Sequence, residues 1–145
     1  SVELEDVDVG GIGGTLAGNA LSLAAMRATL TEVLTDDAYA RMLPLGLRWA
    51  DGVAGVLARH RLPWHVTRLG ARAEYAFAPT PPRTGADAAG SDDFALQTLL
   101  HLHALNRRLL LTPFHNMALM APSTTEADVD AHTAAFAEVA EALTR

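Results

Sequence analysis

The spacing of apolar and polar positions changes several times along the 145 residues. From Ser1 to Asp8, Val2, Leu4 and Val7 alternate raggedly with Glu3, Glu5, Asp6 and Asp8, which predicts an extended, peripheral segment. Ala20 to Leu34 reads as a helix rich in small residues, with Asn19 or Gly18 as favoured N-cap types. Thr35 and Asp36 interrupt that pattern and offer a new cap. A second helix is predicted from about Asp37 to His60. Its buried stripe is read as Leu43, Leu47, Ala50, Ala54 and Leu57, and Pro44 either kinks it or sits near a start.

Beyond Pro63 the period shortens. Trp64 to Leu69 and Ala71 to Ala78 read as two strands broken at Gly70, with Ala71, Ala73, Tyr75 and Phe77 on one face. Pro79 to Ser91, rich in Pro, Gly and Ala, is expected to be a long surface loop. Ser91 and Asp92 are candidate caps for a third helix from Asp93 to about Arg107. Its core face is read as Phe94, Leu96, Leu99, Leu100, Leu102 and Leu105. Leu109 to Thr112 and Met117 to Ala121 read as short apolar strands. Two capping-box spacings, Ser123 to Glu126 and Thr125 to Asp128, precede a last helix from about Glu126 to Leu143. The order predicts an α+β fold: a small, mainly antiparallel sheet with helices on one side, preceded by a long helix.

Composition narrows the function. The chain has 11 Lys+Arg against 17 Asp+Glu, a net charge of −6, which argues against a nucleic-acid partner. Half the residues are hydrophobic, enough for a core. No apolar run approaches the ~20 residues needed to span a bilayer. Cysteine is absent, which excludes disulfides, thiolate catalysis and Cys-type zinc sites. Every basic side chain that is not His is Arg. Without Lys, the chain itself has neither a Schiff-base lysine nor a Walker lysine. Met26 is the first methionine, and the chain is expected to be a piece of something longer.

Candidate chemistry is sparse. His101 and His103 lie about 200° apart on a helix, so their rings diverge, and no metal site is expected there. Gly11 and Gly13 give Gly-x-Gly, but Leu16 stands where a dinucleotide fingerprint needs its third glycine. No Gly-x-Ser-x-Gly elbow is present. The run Gly10-Gly11-Ile12-Gly13-Gly14-Thr15 is either a flexible linker or a loop whose N–H groups and Thr15 hydroxyl hold a phosphate oxygen. His115 and Asn116 sit in the break between two short strands, where they either face a site or form a hydrogen-bonded turn.

The stretch Gly14-Thr15-Leu16-Ala17-Gly18-Asn19-Ala20 and onward to Ala24-Ala25 resembles the Gly-Thr-Leu-Ser-Gly-Asn-Pro-x-x-x-Ala-Ala motif of class III aminotransferases. Within that class it is most similar to the glutamate-1-semialdehyde aminomutases. Ala17 and Ala20 replace the motif's Ser and Pro. Thr124-Thr125-Glu126-Ala127-Asp128-Val129-Asp130 resembles the family's entry to its last helix. The resemblance implies a homodimeric, cytoplasmic, fold-type-I pyridoxal-phosphate enzyme, of which this chain is the C-terminal part. Its implied division is a segment 1–19 carrying the phosphate loop, a connecting helix 20–34 and a small domain 35–145.

It also implies that Gly14 and Thr15 bind the cofactor phosphate of the partner subunit, and that the cofactor lysine precedes Ser1. Where the aminomutases carry a Glu near the substrate, Pro113-Phe114-His115-Asn116 is shorter and Asn116 is the nearest match. That leaves a transaminase of unassigned amino donor as the broader reading. Arg72 is the candidate for a substrate carboxylate, and His115 and Asn116 are the other substrate-facing candidates. The chain alone is expected to be inactive. A non-catalytic α+β interaction module is the alternative, and a metal hydrolase using His101, His103 and His115 a third reading.

Overall fold

A computed structural model describes residues 18–112 and 115–145. The chain divides into two units, Ser1–Thr35 and Asp36–Arg145. In the first, helix α1 spans Ala20–Ala28 and is capped by Asn19, whose side-chain oxygen accepts the Ser22 N–H at 3.0 Å. The predicted single helix to Leu34 changes character after Ala28: Thr29–Val33 is a π-helical turn, and the Leu34 N–H reaches back five residues to Thr29 O. The Thr29 and Thr31 hydroxyls donate to the carbonyls of Ala25 and Arg27, a back-bonding that opens helical ladders. Helix α1 buries none of its residues.

The second unit is the predicted α+β fold. Helix α2 (Asp36–His60) leads into a hairpin, β1 (His65–Leu69) and β2 (Arg72–Ala76). A short helix α3 (Gly85–Gly90), helix α4 (Phe94–Leu105), strand β3 (Met117–Leu119) and helix α5 (Glu126–Thr144) follow. The sheet order is β1-β2-β3, antiparallel throughout. Leu69 pairs with Arg72, so the hairpin loop is Gly70-Ala71. Gly70 has φ +61° and Ala71 is not in the positive-φ region, the pattern of a two-residue II′ turn.

Core packing corrects the reading of α2. Its buried residues are Ala38, Met42, Leu45, Gly46, Trp49, Ala50, Val53, Val56 and Leu57, whereas Leu43 and Leu47 are exposed. Only Ala50 and Leu57 of the expected stripe are buried, because apolar residues surround this helix and both phases have helical spacing. Pro44 lies inside α2, not at a start. The buried face meets Ala73 and Tyr75 of β2 and Val129, Phe136, Val139 and Ala140 of α5 in one cluster. Arg48 ties the same two helices at the surface: Nε and Nη2 donate to the two Asp130 oxygens at 2.7 and 2.8 Å.

Other expectations shift in detail. The loop predicted over Pro79 to Ser91 contains α3, begun by a capping box in which the Thr84 hydroxyl and the Asp87 carboxylate satisfy each other's N–H groups. N–H bonds from Arg83 and Thr84 hold the Asp87 carboxyl below its ordinary value. Asp93, not Ser91 or Asp92, caps α4. Of the expected α4 core face only Leu100 is buried, joined by Ala104, while Phe94, Leu99, Leu102 and Leu105 are exposed. Leu109 to Thr112 forms no strand. The chain instead turns there through Arg108 at φ +63°, with Leu109 N–H bonded to Ala104 O and Arg108 N–H to Leu105 O, a Schellman end. Thr125 and Asp128, not Ser123 and Glu126, form the box that opens α5.

Gly46 lets α2 approach the hairpin. A Cβ there would lie 3.0 Å from Gly70 O and 3.2 Å from Ala71 Cα, both backbone atoms of a tight turn. Gly46→Val is therefore expected to lower stability by about 1–3 kcal/mol, the usual cost of overpacking. Urea denaturation followed by circular dichroism measures it, and an unchanged midpoint would show that the turn yields freely.

Candidate functional site

The register gives the sheet two unlike faces. Val66 pairs with Tyr75, and Ala73 with Ala118 of β3. Ala73, Tyr75 and Ala118 are buried toward the helices. The alternate residues take the other face: His65 pairs with Ala76 and Thr67 with Glu74. Against these residues lies a cleft of about 350 Å³, walled by residues between Pro82 and Gln97 and by His115 and Asn116.

Two groups in this cleft have defined surroundings. His65 Nδ1 lies 2.7 Å from the Ala78 carbonyl oxygen. A carbonyl only accepts, so Nδ1 carries a proton and donates it to Ala78 O. Asn116 is 8% exposed. Its backbone oxygen accepts the Tyr75 N–H at 3.2 Å, which anchors it beside β2, but its side-chain amide bonds to no described residue.

The structure thus brings His115 and Asn116 together and sets Arg72 apart. Arg72 is half exposed, pairs with Glu74 at 2.8 Å, and lines a separate surface pocket of about 140 Å³ with Thr67, Arg68, Leu69 and Glu74. Gly14 and Thr15 lie outside the described residues. His65 and Glu74 are cleft residues that no sequence motif singled out. Strand alternation in β1 and β2 was the available signal, since it sets both opposite the apolar face.

The remaining histidines have other surroundings. His103 Nε2 lies 3.6 Å from Glu138 Oε2 on α5, and that oxygen accepts the Arg107 Nε–H at 2.8 Å. Among the described residues no three His, Asp or Glu side chains group to hold a metal ion. His132 on α5 is buried against Trp49 and Phe136, with ring centroids at 5.0 and 6.1 Å. Burial pushes its imidazole down to about 4, so the ring is neutral near pH 7. No helix among the described residues is long and apolar enough to cross a membrane.

No family model matches the chain. Relatives are nevertheless clear. The chain is 30% identical over 132 residues to a glutamate-1-semialdehyde 2,1-aminomutase of Anaeromyxobacter, covering 88% of this chain and 30% of that protein. It is 33% identical over 127 residues to the aminomutase of Thermus thermophilus, covering 86% and 30%. Among solved structures, a lysine-to-alanine variant of a glutamate-1-semialdehyde aminomutase from Pseudomonas aeruginosa, in complex with PMP, superposes with TM-score 0.83. It is 48% identical and is matched over 96% of this chain and 30% of that one. A β-phenylalanine aminotransferase from Variovorax paradoxus follows with TM-score 0.73 and 25% identity, over 90% and 30%. The chain spans about 30% of the length of the curated relatives it matches. By sequence and by fold, the chain is a C-terminal domain of the class III aminotransferase family, in the small α+β form of fold-type-I enzymes.

Proposed function

We propose that this chain is the C-terminal part of a pyridoxal-phosphate-dependent aminotransferase or aminomutase that moves an amino group on a small amino or keto acid. The supporting observation is the match over 96% of the chain, at 48% identity, to an aminomutase holding PMP. The cofactor, when bound, withdraws electrons from the substrate carbon that loses its proton. The donor set suits its phosphate: the Gly14 and Thr15 N–H groups and the Thr15 hydroxyl all donate, and glycine allows close approach. The chain has no lysine to anchor the cofactor, so it is expected to be inactive alone.

In this reading the segment 1–19 serves the phosphate, residues 20–34 connect, and residues 35–145 form the small domain. The enzyme is a cytoplasmic homodimer in which Gly14 and Thr15 serve the partner subunit's cofactor. Its ligands are a small amino donor and acceptor. The net charge of −6 gives no support to a nucleic-acid role. His115 and Asn116 face the substrate. Arg72, held by Glu74 outside their cleft, is the weaker of the three substrate candidates.

The test uses the full-length enzyme reconstituted with pyridoxal phosphate. A visible absorbance band should appear. Thr15→Val should weaken cofactor affinity about tenfold or more, the loss of one hydrogen bond to a charged group. An unchanged cofactor affinity in that variant would remove Thr15 from the phosphate site. The absence of any band would remove the cofactor reading itself.

A further inference from the structure

Helix α1 and the π-helical turn after it have the composition of a core and the exposure of a surface. From Ala20 to Ala28 the only polar side chains are Ser22 and Arg27. The Ser22 hydroxyl accepts from the Asn19 side-chain amide at 2.9 Å, within the cap. The Thr29 and Thr31 hydroxyls bond back to carbonyls of their own helix. Arg27 and Glu32 are the only charges between Ala20 and Val33. Yet every residue from 18 to 33 is exposed, Leu21 at 80%, Leu30 at 58% and Met26 at 54% among them. Leu23, Met26 and Leu30 share one side of the helix by their spacing of three and four, and Leu21, Ala25 and Ala28 share the opposite side. A helix apolar all round belongs in a core or in a bilayer. The helix and its turn have nine and five residues, short of the ~20 needed to span a bilayer. A helix lying on a membrane surface needs a strongly charged face, which one Arg and one Glu do not make. In water, helices of this length are marginal without tertiary packing.

We propose that α1 is a core helix of the full-length enzyme, enclosed by apolar surface of the amino-terminal portion that precedes this domain. The proposal rests on the function proposed above, in which this chain is the C-terminal part of a longer enzyme. Two observations choose the occupant. The chain spans about 30% of the length of its curated relatives, so most of their fold lies outside it. The aminomutase holding PMP is matched over 96% of this chain, too nearly complete to leave α1 out as a whole. A second copy of this chain would cover one side of the helix through its own α1 and leave the opposite side in water. Enclosure on both sides needs a larger body. Seating the helix would also anchor the chain just after Gly14 and Thr15, so residues 20–34 would act as a packed element and not as a free linker.

The experiment compares the full-length enzyme, loaded with pyridoxal phosphate, with the 145-residue chain by hydrogen exchange and mass spectrometry at micromolar protein. In the full-length enzyme, peptides covering 20–33 should exchange as slowly as those of α5. In the 145-residue chain the same 20–33 peptides should exchange about 100-fold faster or more. A photo-activatable methionine analogue at Met26, the one methionine of α1, should cross-link in the full-length enzyme to peptides that precede this domain. Neither measurement needs a destabilising substitution. Fast exchange of 20–33 in the full-length enzyme, or equally slow exchange in the 145-residue chain, would overturn the proposal. So would Met26 cross-links only to a second α1, which would make another copy of this domain the occupant. A full-length enzyme that shows the cofactor band but leaves 20–33 unprotected would sink this inference alone. A protected helix without the band would sink the cofactor reading alone.

Discussion

Trp49→Ala is expected to remove about 3–5 kcal/mol of stability, the usual cost of deleting a large core aromatic. That is a large share of the roughly 5–15 kcal/mol typical of a domain. Trp49 is 1% exposed and joins three elements. It stacks on Tyr75 of β2 at 6.1 Å and lies against His132 of α5 at 5.0 Å, while its own backbone belongs to α2. Deletion would open a void where helix, helix and sheet meet. Trp49→Phe is the informative control. It keeps an aromatic face and removes the indole N–H, which is buried without a partner, so it should cost much less than the alanine change. Urea denaturation at pH 7.5 measures both. A loss below ~1 kcal/mol for the alanine variant would mean that the core is not organised around this ring.

Stability should also fall by about 3 kcal/mol between pH 6.5 and pH 4, through His132 alone. The ring is buried, and its folded-state pKa of about 4 lies below the ordinary 6.5. The unfolded chain therefore binds a proton in that window that the folded chain refuses. The contribution is fully present above pH 6.5, declines as pH falls, and is exhausted below about pH 4. A tenfold change in proton affinity corresponds to about 1.4 kcal/mol, which sets the size. His132→Leu should flatten the pH dependence in that window, whatever it does to stability at pH 7.5. A wild-type midpoint that stays constant from pH 6.5 to pH 4 would show that the ring reaches water. Asp87, Asp128 and Asp130 are held below their ordinary values by hydrogen bonds from Arg83 and Thr84, from Thr125, and from Arg48. Those contributions are lost at lower pH, as the carboxylates protonate, so the two phases are separable.

Much of the second unit was legible because its signals are local. A hydroxyl or carboxylate three residues ahead of an orphan N–H marks a helix start, and Thr125 with Asp128 does so at α5. Gly70 marks the hairpin because only its positive φ closes so short a loop without strain. The same rule applied to Thr84 and Asp87 would have found α3 within the expected loop. The exposed Phe94, Leu99, Leu102 and Leu105 of α4 were not legible as such. Their spacing is that of a core stripe, and nothing in a sequence says whether such a stripe faces the chain's own core. The cleft was half visible: His115 and Asn116 stood out at a chain break, but His65 and Glu74 acquire a shared face only through the β1–β2 register.

What the residues decide alone is therefore short-range: where helices begin and end, where the hairpin turns, and that no lysine or thiolate chemistry belongs to this chain. Those outcomes depend on atoms a few positions apart, or on which side chains are present at all. The tertiary structure decided which face of α2 is buried, which stripe of α4 stays in solvent, and which polar groups meet across the sheet. Each is a choice between patterns of equal helical or strand periodicity. Only packing against distant residues, with Trp49, Tyr75 and Phe136 brought together from three elements, separates their energies.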